Sequence, residues 1–339
     1  MKAFQIGPQT GLASLTATTR PDPVAGAGEV VLKVRLVALN HRDMQVLEGT
    51  YGARRPETRI PLSEGVGEVL SVGDGVTSVA RGDRVVFAHF VTWLDGDFTP
   101  AAFGHDLGIT HDGWLAEQVK VPAAALVKLP DTVSDEQAAP LASSALTAWH
   151  AVVEVGKVKA GETVLALGTG GVSIFALQIA KAHGARVAIT SSSDEKLALA
   201  RDLGADICVN YRTTPDWAAE IMKLSGGTGA DIVVETGGQT TLAQSIGAAA
   251  ANGRIVIIGA LAGAASEGLP NYGAIIGKNL SLKGIAEGSR AMLARLVRAV
   301  DVNQIQPVID QTFAFDEAGQ AYSYLKSGGH VGKVMIKVS

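Results

Sequence analysis

The sequence predicts an α/β protein in which a doubly wound parallel sheet is joined to a separate, mostly β domain. Three features point there. The first 125 or so residues carry short apolar or alternating runs broken by Gly, Asp and Pro. Residues 126–286 alternate short apolar runs with amphipathic stretches of helical period. A glycine-rich turn, GTGGVS (168–173), lies between one such run and the helix that follows. The domain boundaries expected from this texture are 1–125 with 287–339, and 126–286. A chain of 339 residues suits two domains.

In the first domain, EVVLKVRLVALN (29–40), VGEVLSVG (66–73), DRVVFAHF (83–90) and LAEQVKV (115–121) read as strands of a small barrel or partly open sheet. Residues 91–113 have no period, and a loop of that length is usually functional or mobile. In the second domain SSALTAWHAVVEVG reads as a helix ending at Gly156. VLALG is a buried strand, and VSIFALQIAKAHG is a helix closed by Gly184. RVAIT, ICVN, DIVVETGG and RIVIIGA continue as strands, with DEKLALARDLG, TPDWAAEIMKLSG and LAQSIGAAAANG as helices between them. Two further helices, ARLVRAVDVN and DEAGQAYSYLKSG, and a strand KVMIKV end the chain and are expected to return to the first domain.

Gly168, Gly170, Gly171 and Val172 form the turn where backbone approaches a pyrophosphate and a helix N-terminus offers unpaired N–H groups. Ser173 takes the third glycine position of the usual GxGxxG pattern. The context makes this a dinucleotide site; the alternative is a tight turn without a ligand. NAD sites usually place Asp or Glu at the end of the second strand, about 20 residues on. Here Thr190 is followed by Ser191, Ser192 and Ser193, with Lys196 one turn into the next helix. Hydroxyls do not repel a 2′-phosphate and the lysine pairs with it, so NADPH is expected over NADH. Asp194 and Glu195 count against this unless they cap the helix, and a solvated helix charge is the other reading of Lys196. Tyr211, after the third strand, flanks the adenosine.

Hydrophobic residues make up 47% of the chain, so a large core is available, and the net charge of −4 gives no footprint for nucleic acid or an anionic membrane. No apolar run reaches the roughly 18 residues of a membrane span. The N-terminus MKAFQIGPQTG lacks a signal-peptide core, so a cytoplasmic location is expected. A single cysteine, Cys208, excludes an internal disulfide and a multi-cysteine zinc site, and in a strand it reads as packing.

The chain resembles the medium-chain dehydrogenase/reductases, and within them the quinone oxidoreductase-like branch. The matching residues are ALNHRD and LEG (38–49), GVGEVLSVG (65–73), GDRVV (82–86), ALTAWHA (145–151), GTGGVS (168–173), VNYRT (209–213), IVIIG (255–259) and GKV (332–334). The resemblance implies a GroES-like, barrel-type substrate domain and a Rossmann domain. Zinc-dependent members would place ligands at Asn40, Ser63 and Ala142, and none of these is a Cys, His or Asp here. Glu64 matches a carboxylate near that metal. The four-cysteine lobe of the zinc branch would fall around Trp93, where cysteine is absent. No metal is therefore expected.

The implied activity is zinc-independent hydride transfer from NADPH to a quinone or an activated alkene or carbonyl. Two alternatives stand beside it: alcohol or aldehyde interconversion, and a non-enzymatic NADPH sensor. Asn40 would polarise the substrate oxygen, with Tyr51 and Trp93 as a flat apolar wall; for both aromatics the other reading is packing. His41 matches a position near the cofactor pyrophosphate and Thr147 one beside the nicotinamide. His41 and Asp43, close together on a strand-turn, do not make a metal half-site without partners, and Arg42 and Asp43 read as a buried ion pair or hydrogen-bond cluster bracing the turn. Gly237, in ETGG, and Gly259, Ala260 and Leu261, in GALAG, end two strands on the side that takes nicotinamide and ribose. Lys333 reaches a phosphate or is an idle lysine on the last strand. A homodimer through the edge strand NLSLKGIA (279–286) is implied by resemblance alone.

Overall fold

In the computed structural model, which describes residues 1–55, 57–259 and 270–339, the β-branched run EVVLKVRLVAL forms strand Glu29–Leu39, and the first unit is built around it. Antiparallel neighbours on one side are Gly65–Val72, then Arg84–Phe87, then Leu126–Lys128. Its other edge is shared: the first half pairs with Gln118–Pro122 and the second half with Lys333–Lys337, which itself pairs with Ile309–Ala314. The unit comprises Met1–Leu146 and Gly288–Ser339. Its core joins Val30, Leu32, Val34 and Val37 of the central strand to Phe87, Trp114, Tyr322 and Ile336.

Two registers place chemistry. Leu39 lies opposite Val334, so Asn40 and Lys333 follow as neighbours; Val37 lies opposite Gly65, which brings Glu64 to the same end of the sheet. The helix His41–Glu48 starts where the strand stops, because the Asn40 backbone N–H donates to Asp43 Oδ2 at 2.7 Å. It ends at Gly49, whose φ of 70° is left-handed.

The second unit is Thr147–Glu287. Among the described residues its sheet has six parallel strands: β1 (Thr163–Leu167), β2 (Arg186–Ser191), β3 (Ile207–Asn210), β4 (Ala230–Glu235), β5 (Ala249–Ile257) and β6 (Ser281–Gly284). They lie in the order β3-β2-β1-β4-β5-β6, the doubly wound arrangement of a Rossmann sheet. Strands β1 (TVLAL) and β4 (ADIVVE) are mostly apolar and almost wholly buried because both faces are covered. Residues 141–155 form one helical stretch with π-type turns at both ends, closed before Gly156.

The first domain boundary lies after Leu146, about twenty residues later than the sequence texture suggests. The reason is pairing and charge: Leu126–Lys128 is a strand of the first sheet, and Asp135 accepts from Arg35 and Arg84 of that sheet. Loop 91–113 is ordered by its own aromatic cluster of Phe90, Trp93, Phe98 and Phe103, with a short helix at Pro100–His105. Among the described residues no helix is long and apolar enough to cross a membrane.

Candidate active site

A cavity of about 520 Å³ opens at the carboxyl ends of β1 to β4, the end at which open α/β sheets take ligands. Leu167, Gly168, Thr190, Tyr211, Thr236 and Gly237 line it where those strands stop. Gly168 has a φ of 76°, so its turn requires glycine. Gly170 is a different case. A Cβ there would meet nothing within 4 Å, so the space before helix Gly171–Ala182 is open. Ser173, at the third glycine position, is buried and its hydroxyl donates to Leu167 O at 2.6 Å, tying the helix to β1.

Ser191 ends β2 and is buried, with its Oγ 3.2 Å from Thr169 Oγ1 in the glycine turn. Ser193, and not the acidic pair, caps helix Asp194–Asp202; Asp194 and Glu195 lie in its first turn, where they suit the positive end of the helix dipole, and Asp194 accepts from Asn210 Nδ2. Ser192 and Lys196 are half-buried, and Tyr211 is exposed along the cavity wall. The turn after β4 is held by Glu235, which the sequence reading passed over. Its Oε1 accepts from the backbone N–H of Gly237 (2.8 Å) and Gly238 (2.9 Å) and from Thr241 Oγ1 (2.6 Å), and its Oε2 accepts from Ser245. Gly259 is half-buried after β5; Ala260 and Leu261 lie outside the described residues.

The first unit holds a second polar centre. Lys333 and Glu64 are buried at 2% and 0% exposure. The Lys333 ammonium donates to Leu39 O (2.7 Å), Asn40 Oδ1 (2.8 Å), Glu64 Oε1 (2.7 Å) and Ser144 Oγ (2.9 Å). Asn40 Nδ2 donates to Glu64 Oε1 at 2.8 Å, and Ser144 Oγ donates to Asn40 Oδ1 at 2.8 Å. Glu64 Oε2 accepts from the Ser143 N–H at 2.7 Å and the Ser144 N–H at 3.3 Å. Ser63, next to Glu64 in the chain, is buried and its hydroxyl has no hydrogen-bond partner among the described residues.

Residues 26–131 match the family described as alcohol dehydrogenase GroES-like domain, and residues 171–301 match that described as zinc-binding dehydrogenase. A zinc-type alcohol dehydrogenase-like protein of Schizosaccharomyces pombe is 42% identical over 92% of this chain and 91% of its own length. The chain belongs to the medium-chain dehydrogenase/reductase superfamily. An acryloyl-coenzyme A reductase of Metallosphaera sedula is 31% identical over 93% of this chain and 94% of its own. Among solved structures, a putative alcohol dehydrogenase of Sinorhizobium meliloti superposes with a TM-score of 0.91, at 39% identity and 99% coverage of both chains. An NAD-dependent alcohol dehydrogenase gives 0.90 at 34% identity and full coverage of both. A mycobacterial protein complexed with NADPH gives 0.83 at 28% identity, again covering both in full. This medium-chain dehydrogenase/reductase is therefore an NAD(P)-dependent oxidoreductase.

The structure places the remaining expected site residues unevenly. Asn40 and Lys333, assigned separately to substrate and phosphate, are hydrogen-bonded to each other across 293 residues of chain. Lys333 is thus neither idle nor free to meet a phosphate, because its ammonium faces inward on four oxygens. Trp93 is not an open wall: it is 6% exposed, packed edge-on against Phe98 at 5.1 Å, and its indole N–H donates to Gly96 O at 3.0 Å. Tyr51 is half-buried, with the Arg42 guanidinium 4.9 Å from its ring centroid. His41 is exposed on the first turn of its helix, and Thr147 is buried in a helix. Arg42 and Asp43 do not pair; Arg42 forks onto Asp106 and Asp43 caps the helix.

Burial pushes the Asp43 carboxyl up to about 6 from 3.8, with Glu64 adding to the effect and Arg42, the Asn40 N–H and Lys333 opposing it. A raised carboxyl pKa means the folded state holds the proton more tightly. The contribution to stability is full below pH about 4 and is lost as pH rises through about 6. Asp43→Asn keeps an acceptor for the Asn40 N–H. Wild type should lose stability relative to this variant between pH 4 and 6, by up to about 3 kcal/mol. Parallel urea titrations across that range check it; a constant difference would refute the assignment.

Proposed function

We propose that this enzyme transfers a hydride from NADPH to a quinone or an activated alkene or carbonyl, without zinc. The observation that carries the reading is the donor set around Glu64. The positions that bear zinc ligands in the zinc branch hold Asn40, Ser63 and Ala142, none of them an imidazole or thiolate. An ammonium already occupies the Glu64 carboxylate and the Asn40 carbonyl, and a dication beside it would meet its repulsion. Among the described residues no group of three His, Cys, Asp or Glu is placed to hold a metal.

Bound NADPH supplies the hydride; the protein must orient the acceptor and stabilise the charge that appears on its oxygen. Quinones and enones suit a site without a Lewis acid, because conjugation carries that charge to an oxygen a hydrogen bond can hold. The Metallosphaera sedula relative is named for an activated alkene of this kind. Asn40, half-exposed at the end of its strand, is the group assigned to the acceptor oxygen.

Purified protein should oxidise NADPH with a small quinone or an enone thioester, and a chelator should leave the rate unchanged. Loss of the rate on chelation, restored by zinc, would overturn the zinc-free reading. The names of the S. meliloti and NAD-dependent structures favour a second reading, alcohol oxidation, and turnover of a simple alcohol with NADP⁺ or NAD⁺ separates the two.

NADPH is favoured over NADH because Ser191 ends β2 where an NAD site carries an acid, and one solved neighbour holds NADPH. Ser191→Asp should move the ratio of kcat/KM values toward NADH by at least about tenfold, through a carboxylate that repels the 2′-phosphate. An unchanged ratio would remove Ser191 from that role. Strand β6 forms the open edge of the Rossmann sheet and is largely exposed, which supports a homodimer paired along it; light scattering in solution tests this.

A further inference from the structure

We propose that Lys333 is a resident cation that polarises the Asn40 amide, so that this amide performs the charge stabilisation a metal performs in the zinc branch. The inference rests on the hydride-transfer reading above.

The hydrogen bonds fix which way the amide points. An ammonium only donates, so the Asn40 atom 2.8 Å from Lys333 Nζ is the carbonyl oxygen, and the Ser144 hydroxyl donates to the same oxygen. The opposite end faces the Glu64 carboxylate, which only accepts, so it is the NH₂. One amide proton is held by Glu64. The second lies outside the network, on the half-exposed member of a cluster whose other side chains, Lys333, Glu64 and Ser144, are buried.

Lys333 does not itself meet substrate. Its three protons are shared among four protein oxygens at 2.7–2.9 Å. Its effect passes through Asn40, which makes it a positioning residue. Two donors on Oδ1, one of them charged, draw density from the amide and strengthen the remaining N–H as a donor, and a buried setting enlarges the effect. Glu64 neutralises the ammonium and holds the amide in this orientation, so the site presents a fixed dipole that needs no reorganisation when charge develops.

The test replaces the ion pair by a neutral pair of similar shape, Lys333→Met with Glu64→Gln, in the full-length protein. Three quantities are read: thermal stability, NADPH affinity by fluorescence, and kcat with a small quinone. The affinity of 4-nitrophenolate, an oxyanion that undergoes no hydride transfer, is read by its absorbance in the presence of NADP⁺. Removal of an oxyanion donor costs about 10²–10³ in kcat, so loss of its polarisation should cost about tenfold or more, with NADPH affinity kept. Phenolate should bind about tenfold more weakly. In an Asn40→Leu background the neutral pair should add little further loss, because Lys333 acts through Asn40.

Wild-type kcat and phenolate affinity in the neutral pair would overturn the proposal, leaving the ion pair a structural strut. Losses that add in full to those of Asn40→Leu would also overturn it. Ser144→Ala, which removes one donor from Oδ1 and keeps the ion pair, serves if the neutral pair does not fold. It should weaken phenolate binding several-fold, and an unchanged affinity would count as refutation. A wild type that reduces no acceptor yet binds phenolate in a Lys333-dependent way would sink the hydride-transfer reading while upholding the polarised amide.

Discussion

Replacing Arg42 by alanine is expected to cost about 3–5 kcal/mol of stability, among the largest effects of any single substitution in the first unit. Arg42 is 7% exposed, and Asp106 and His89 are 2% and 1% exposed. The guanidinium forks onto Asp106 at 2.8 and 2.9 Å and lies 3.1 Å from the His89 ring, while His89 Nδ1 is 2.9 Å from Asp106 Oδ1. Removing the arginine takes from a buried carboxylate the guanidinium that forks onto it. It also removes the cation under the Tyr51 ring. Asp106 pairs with Phe90 in an isolated bridge and holds Thr110, so the change should loosen the aromatic cluster of loop 91–113. Urea unfolding gives the energy, and near-ultraviolet dichroism reports the cluster. Arg42→Met with Asp106→Asn, which leaves no buried charge, should recover a large part of the loss. A single-variant cost below about 1 kcal/mol would show that the fork carries little.

This strut shows how far the sequence could be read. ALNHRD presents four polar residues in a row, and their types alone suggest pairing within the row. The fold distributes them otherwise: His41 to solvent, Arg42 to loop 91–113, Asp43 to the helix cap, and Asn40 to Lys333 and Glu64. The helix His41–Glu48 reads only as a turn, while the strand before it was legible because a β-branched run is local. The partners were not, because they depend on the register of Leu39 against Val334, set by pairing between strands almost 300 residues apart. The Rossmann order was legible for the converse reason. Each βα unit is local, buried parallel strands are continuous apolar runs, and the handedness of crossovers leaves few arrangements open. For Trp93 the choice between wall and packing stayed open, because its burial depends on Phe90, Phe98 and Phe103, which a loop without period gives no means of assembling. The zinc branch's ligand positions were legible as absences, whereas the ammonium among them was not. Its signal was Glu64, a carboxylate in a mostly apolar stretch with no cation within four residues of it.

Glu235→Ala is expected to have the largest effect in the second unit, on both stability and cofactor affinity. Glu235 is fully buried at the end of β4, and among its hydrogen-bond partners in the structure are two backbone N–H groups and two hydroxyls. Hydrogen bonds to a charged group contribute about 1.5–3 kcal/mol each and are not additive, so truncation should cost about 4 kcal/mol or more. The affected turn lines the cavity at the strand ends through Thr236 and Gly237, so, if the cofactor sits there, NADPH should bind at least about tenfold more weakly where the fold survives. Glu235→Gln separates charge from geometry. Its amide oxygen can stay at Oε1 to accept from Gly237, Gly238 and Thr241, and its NH₂ then faces Ser245, whose hydroxyl reverses from donor to acceptor. The glutamine variant should therefore lose no more than about 1–2 kcal/mol and keep most of its NADPH affinity. Thermal unfolding and fluorescence titration measure both quantities. If alanine and glutamine fall together, the negative charge itself is what the turn requires. If neither falls, the carboxylate is a passenger and the turn is set by Gly237 and Gly238 alone.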